Sequence, residues 1–143
     1  MKKVFLSGCF DIIHGGHIDF FEIAKKYGDY LIVSFAGDKS LWLHKKRRSS
    51  IPEEHKYRVI SSLKMVDKVV VGDYLKEEGL DFKRHFLKIK PDILLITQQD
   101  KYKAQKKELC AQTGTELVIL PKSYKFREIS TTKIIKNIIR NNK

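Results

Sequence analysis

Residues 8–17, GCFDIIHGGH, decide how this chain of 143 residues is read. They follow the apolar run KVFLS (3–7) and precede the amphipathic stretch HIDFFEIAKKY (17–27), so they occupy a first strand-to-helix turn. Gly8 lets the chain leave the strand where a side chain would obstruct. Gly15 and Gly16 open the helix with little bulk, so a ligand can approach the backbone. A helix N-terminus carries unbonded amides and positive dipole charge, which favour an anion. His14 and His17 stand about one turn apart and can face that anion from one side. Two imidazoles beside a polyphosphate donate hydrogen bonds and, when protonated, neutralise charge on it. The blander reading makes one histidine a helix cap and the other a packing residue. Two histidines with two glycines at this position favour the phosphate reading.

Outward from the turn, short β-branched runs alternate with helical patterns. KVFLS, YLIVSFA (30–36), KVVVG (68–72), DILLI (92–96) and ELVIL (116–120) have the length and composition of buried strands. PEEHKYRVISSLKMV (52–66) opens with Pro52 and acidic residues, and LDFKRHFLKIK (80–90) stops at Pro91. KYKAQKKELCAQTG (101–114) closes on Gly114, and STTKIIKNIIR (130–140) begins with capping residues. Five strands separated by helices require right-handed crossovers. The expected fold is an α/β, doubly wound, Rossmann-like parallel five-stranded sheet in a single domain over residues 1–143. In such sheets ligands bind beyond the carboxyl ends of the strands. Residues 8–17, 37–49, 72–74, 97–102 and 121–132 fall there.

Composition bounds the function classes. Apolar residues make up 42% of the chain, and no run is long enough to span a bilayer. The N-terminal apolar run meets Asp11 too soon for a signal peptide. Cys9 and Cys110 could form one disulfide, but reduced thiols in a cytoplasm are the expectation. The net charge of +12 admits nucleic acid, anionic lipid or a polyphosphate ligand. The lysines are mostly scattered, and the one dense block, HKKRR (44–48), sits at a strand's carboxyl end, which favours a phosphate ligand over nucleic acid. His14, His17 and Cys9 or Asp11 could hold zinc, but no second Cys/His pair completes a four-ligand set. Neither G-x-G-x-x-G after the first strand nor G-x-x-x-x-G-K-[ST] is present.

GCFDIIHGGH resembles the signature of the cytidylyltransferase-like nucleotidyltransferases, with its aromatic–Asp pair and His-x-Gly-His. YGDYLIVSFAGD (27–38), PEEHKYRVISSLKMVDKVVVGD (52–73) and ISTTKIIKNI (129–138) are similar to later segments of that family, in the same order. The resemblance is nearest to glycerol-3-phosphate cytidylyltransferases and heptose-1-phosphate adenylyltransferase domains. It implies transfer of a nucleotidyl group from a nucleoside triphosphate to a phosphorylated small molecule, with Mg2+ and release of pyrophosphate. CMP transfer is favoured. The alternatives are a heptose-type adenylyltransferase and a non-catalytic nucleotide- or RNA-binding module.

The same resemblance assigns roles. His14, His17 and Lys46 are the catalytic candidates. Gly8, Cys9, Phe10, Asp11, Gly15, Gly16, Asp38, Lys64, Lys125, Arg127, Ser130, Thr131 and Thr132 are nucleotide-binding candidates, with Lys125 or Arg127 replacing a family arginine. Lys45, His44 and Asp100 are candidates for the acceptor. Cys9 would act through its amide, and Trp42 would cover a ligand or pack. TQQD (97–100) and KFRE (125–128) depart from the family patterns where base and acceptor are chosen. The resemblance also implies a homodimer.

Overall fold

In the computed structural model, which describes residues 1–121 and 129–142, β1 (Lys3–Gly8) is the middle strand of five. It pairs in parallel with β2 (Tyr30–Ala36) from Lys3↔Tyr30 to Gly8↔Phe35, and on its other side with β4 (Ile93–Thr97). β3 (Lys68–Gly72) and β5 (Glu116–Leu120) form the edges, so the order is β3-β2-β1-β4-β5 and every pairing is parallel. The order reverses at β1, the switch point beside which such sheets hold ligands.

Strands buried on both faces read as continuous apolar runs. Val4 and Leu6 face a core shared with Phe21 and Ala24 of α1 (Gly15–Lys25) and Ile60 of α3 (Glu53–Ser61). Phe5 points the other way, into a second core with Phe86 of α4 (Lys83–Ile89) and Leu109 and Cys110 of α5 (Lys103–Thr113). The result is three layers, helix on sheet on helix. The final helix is α6 (Thr131–Asn141).

The edge where strands begin is tied by three carboxylates. Asp29 accepts the Lys2 amide, Asp92 the Lys3 amide and Asp67 the Leu31 amide, at 2.8–2.9 Å. The opposite edge carries the turns.

The strand readings hold within a residue, and Gly114 ends α5 in the left-handed conformation, its amide donating to Cys110 O. One element departs from expectation. Residues 38–45, read as part of a ligand loop, form the helix α2 (Asp38–Lys45). It buries only Ser40 and Leu41 and stops at Lys46 in a left-handed conformation, so it lacks an apolar stripe and a glycine stop. The third helix is also shorter than its pattern, with Ser62 as its C-cap.

Candidate active site

The turn after β1 is built on Phe10. Its ring lies over Gly8, where a Cβ would come within 2.7 Å of it, so only glycine fits there. The ring is buried and meets Phe21 edge-on at 5.0 Å and His17 at 5.3 Å. Phe10 takes φ 48°, a left-handed backbone that costs a bulky residue on the order of 1–3 kcal/mol and persists only where its surroundings enforce it. The buried ring supplies that enforcement.

His14 is the N-cap of α1. Its Nδ1 accepts the Gly16 amide at 3.1 Å, and His17 Nδ1 accepts the His14 amide at 3.1 Å. The sequence left capping and ligand binding open as alternatives; the histidines do cap the helix, and both also line a cleft. With each Nδ1 accepting a backbone N–H, a neutral ring carries its proton on Nε2. The rings lie 3.9 Å apart at 31° and line one cleft together. The same capping engages the Gly16 amide internally, and the His17 amide donates to His14 O. The helix end therefore offers fewer open amides than expected, and the imidazoles front it instead.

Two clefts flank the turn. The smaller, about 250 Å³, runs between α1 and the start of α6 and is lined by His14, Gly16, His17, Phe20, Leu120, Pro121, Ser130 and Thr131. Ser130 caps α6, accepting the Lys133 amide at 3.1 Å, and Thr132 faces an adjoining groove with Lys133 and Lys136. The larger, about 460 Å³, opens over the ends of β1 and β2 against α2 and the turn before α5. Gly8, Cys9, His44, Lys45 and Asp100 line it, so all three acceptor candidates share one cavity. His44 Nε2 sits 3.2 Å from Leu75 O. Asp100 receives Lys106 Nζ at 2.6 Å and the Tyr102 amide at 2.8 Å.

Other candidates stand elsewhere. Lys46 is exposed at the C-cap of α2 and lines neither cleft. Asp38 is exposed in the first turn of α2, its amide donating to Glu53 at 3.0 Å. Lys64 lies in the turn entering β3, on the edge where strands begin, and lines neither cleft. Asp11 is buried and faces protein, not solvent. Its Oδ2 takes Arg47 Nη1 at 3.0 Å and the Ser50 amide at 2.9 Å, fastening the segment after α2 to the turn. Lys125 and Arg127 lie outside the described residues. Cys9 and Cys110 are both free thiols.

Sequence reasoning missed a set of buried charges. Lys56, 1% exposed, donates to Cys9 O at 3.0 Å. Burial pulls its pKa below the ordinary lysine value, while the Asp11 carboxylate opposes that pull. Lys106 is buried in the wall of the larger cleft, and burial pushes the neighbouring Asp81 carboxyl above its ordinary value despite Lys106 and the Ser40 hydroxyl. The signal was available: Lys56 shares a helical stripe with Ile60, and Lys106 with Leu109 and Cys110, where apolar residues belong.

Among the described residues, no three His, Cys, Asp or Glu side chains group as a metal-ligand set. Among the described residues no helix is long and apolar enough to cross a membrane.

Comparison with known proteins shows what the chain is similar to. An FAD synthase of Archaeoglobus profundus is 39% identical over 142 residues, covering 97% of this chain and 87% of its own. An FAD synthase of Thermococcus onnurineus is 34% identical over 140 residues, covering 96% and 91%. Among solved structures, the lipopolysaccharide core biosynthesis protein of Thermoplasma volcanium superposes with a TM-score of 0.71 at 30% identity, covering 88% of this chain and 99% of that one. The family model described as cytidylyltransferase-like matches residues 5–137. With that match spanning the histidine turn, both clefts and most of α6, the chain belongs to the cytidylyltransferase-like family of nucleotidyltransferases.

Proposed function

We propose that the chain transfers the adenylyl group of ATP to the phosphate of FMN, forming FAD and releasing pyrophosphate. The observation that carries this reading is the pair of unequal clefts on either side of the turn that bears both histidines. The smaller suits a nucleoside: Phe20, Ile23, Leu120 and Ile129 give a base an apolar wall, and Ser130 and Thr131 offer hydroxyls. The larger has the volume of a cofactor-sized pocket and polar walls for an acceptor with many hydroxyls. The name shared by relatives that match nearly the whole chain favours an adenylyl donor over the cytidylyl donor expected from the motifs.

A phosphate oxygen of FMN attacks the α-phosphorus of ATP, and the bond from that phosphorus to the β-phosphate bridging oxygen breaks. This step needs alignment and charge stabilisation more than covalent help. The Nε2–H groups of His14 and His17 donate to the phosphate oxygens on which charge builds. Lys45 and His44 meet the acceptor phosphate, and Lys46 approaches the triphosphate from outside the cleft. Mg2+, carried in by the triphosphate and not by a protein ligand set, would supply neutralisation of charge on the leaving pyrophosphate.

Pyrophosphate release with ATP and CTP, each against FMN, glycerol 3-phosphate and heptose 1-phosphate, tests this. ATP with FMN should give an adduct with the mass of FAD and the largest rise in melting temperature. Turnover confined to CTP, or to a non-flavin acceptor, would replace the substrates while keeping the reaction class. Binding without pyrophosphate release from any pair would replace the enzyme reading with that of a binding module. The family resemblance, with Ile135, Ile138 and Ile139 of α6 exposed, further supports a homodimer, and a monomer by light scattering would refute it.

A further inference from the structure

We propose that Lys56 is a positioning residue for nucleotidyl transfer: its buried ammonium holds the Cys9 carbonyl and thereby sets where the turn presents His14 and His17. This rests on the function proposed above for its kinetic consequence, but not for its structural one.

Three observations carry it. Lys56 projects from α3 into a site with no solvent, 1% exposed, where an unpaired ammonium would not persist. Its Nζ donates to Cys9 O at 3.0 Å and sits 5.3 Å from the centre of the Phe35 ring. Cys9 lies directly between Gly8, over which Phe10 packs, and Phe10 itself, held at φ 48°. The bond therefore reaches the turn at the residue from which its left-handed path begins. Asp11 and Arg47 are themselves paired at 3.0 Å, and the ammonium feels the favourable charges of Asp11 and Asp38 against the opposing charge of Arg47. Removing the ammonium alone would leave the Cys9 carbonyl without this donor. Lys56 thereby links α3, a helix lining neither cleft, to the backbone that carries both histidines.

The test compares Lys56→Met, which keeps length and removes charge, with Lys56→Arg, which keeps the charge. In Lys56→Met, kcat should fall roughly 10²-fold, the cost of misplacing a reacting group by about 1 Å, with KM for ATP nearly unchanged. Lys56→Arg should recover a large part of kcat. Amide hydrogen exchange should accelerate in residues 10–17 of Lys56→Met while β4 and β5 stay protected. A folded Lys56→Met protein with wild-type kcat, or with wild-type exchange in residues 10–17, overturns the proposal. If Lys56→Met does not fold, Lys56→Arg decides: wild-type kcat and exchange support the charge-dependent role, and loss of kcat with unaltered exchange in residues 10–17 overturns it. If the wild-type protein shows no turnover with ATP and FMN, the functional reading fails, and the exchange measurement alone decides the role of Lys56.

Discussion

Replacing Gly16 by alanine should damage turnover without damaging the fold. A Cβ on residue 16 would stand 2.9 Å from His14 Cε1 and 3.1 Å from His14 Nδ1. Ordinary contact begins near 3.4 Å, so the ring must retreat by about 0.5 Å. That retreat stretches the hydrogen bond from the Gly16 amide, already 3.1 Å long, and tilts Nε2 away from its place beside His17. For stability two effects oppose. Alanine gains about 0.5–1 kcal/mol over glycine in a helix, and a weakened N-cap loses about 0.5–2 kcal/mol. They nearly cancel, and the melting temperature should move by no more than about 4 °C. For catalysis nothing compensates. Misplacement by about 1 Å costs roughly 10²-fold, so half that distance costs roughly tenfold in kcat, with KM for the triphosphate little changed. Steady-state pyrophosphate release and a thermal melt, run on the same preparation, decide the matter. A Gly16→Ala protein with wild-type kcat would refute the claim that His14 is held in place for the phosphates.

Three further outcomes are expected. His14→Ala and His17→Ala should each lower kcat by roughly 10²-fold or more while nucleotide affinity, measured by calorimetry, changes far less; wild-type turnover in His17→Ala would remove the core of the mechanism. Lys106→Met strands Asp100 and Asp81 in a buried wall and should cost about 3 kcal/mol in urea unfolding, much of it regained in the double variant with Asp100→Asn; a loss below about 1 kcal/mol would show that the pair is not buried as described. Because burial raises the native pKa of Asp81 above the ordinary carboxylate value of 3.8, the native state binds more protons there than the unfolded chain. The stability this group contributes is present below that value and lost as pH rises through the native pKa. Asp81→Asn should therefore gain on the wild type as pH rises through that window, and a constant difference between the two across it would contradict the shift.

The sheet was legible because both its faces are buried: five apolar runs of strand length leave little alternative to a parallel α/β order. The histidine turn was legible because glycine, histidine and aspartate cluster where a strand gives way to a helix. α2 was not, since DKSLWLHK shows neither helical apolar spacing nor a glycine stop, and its end depends on a left-handed lysine. Asp11 could be placed at the turn, but its partners Arg47 and Ser50 lie 36 and 39 residues away, a pairing no local pattern encodes. Lys64 was legible in type and spacing only. Motif similarity carries a residue's type and spacing, whereas its edge of the sheet follows from whether its turn enters or leaves a strand.

The two clefts draw on different parts of the chain. The smaller takes its lining from α1 and its N-cap, the ends of β4 and β5 and the start of α6, whereas the larger takes its lining from the ends of β1 and β2, α2, the turns before α4 and α5, and Lys106 of α5. Substitutions or insertions in residues 73–82 and 98–102 can thus remodel one cavity while the residues lining the other keep their sequence. Evolution can treat the two as separate modules sharing one strand-to-helix turn of ten residues. Such a scaffold can acquire new partners for an old donor by changing turns alone, without rebuilding the machinery that activates the phosphate.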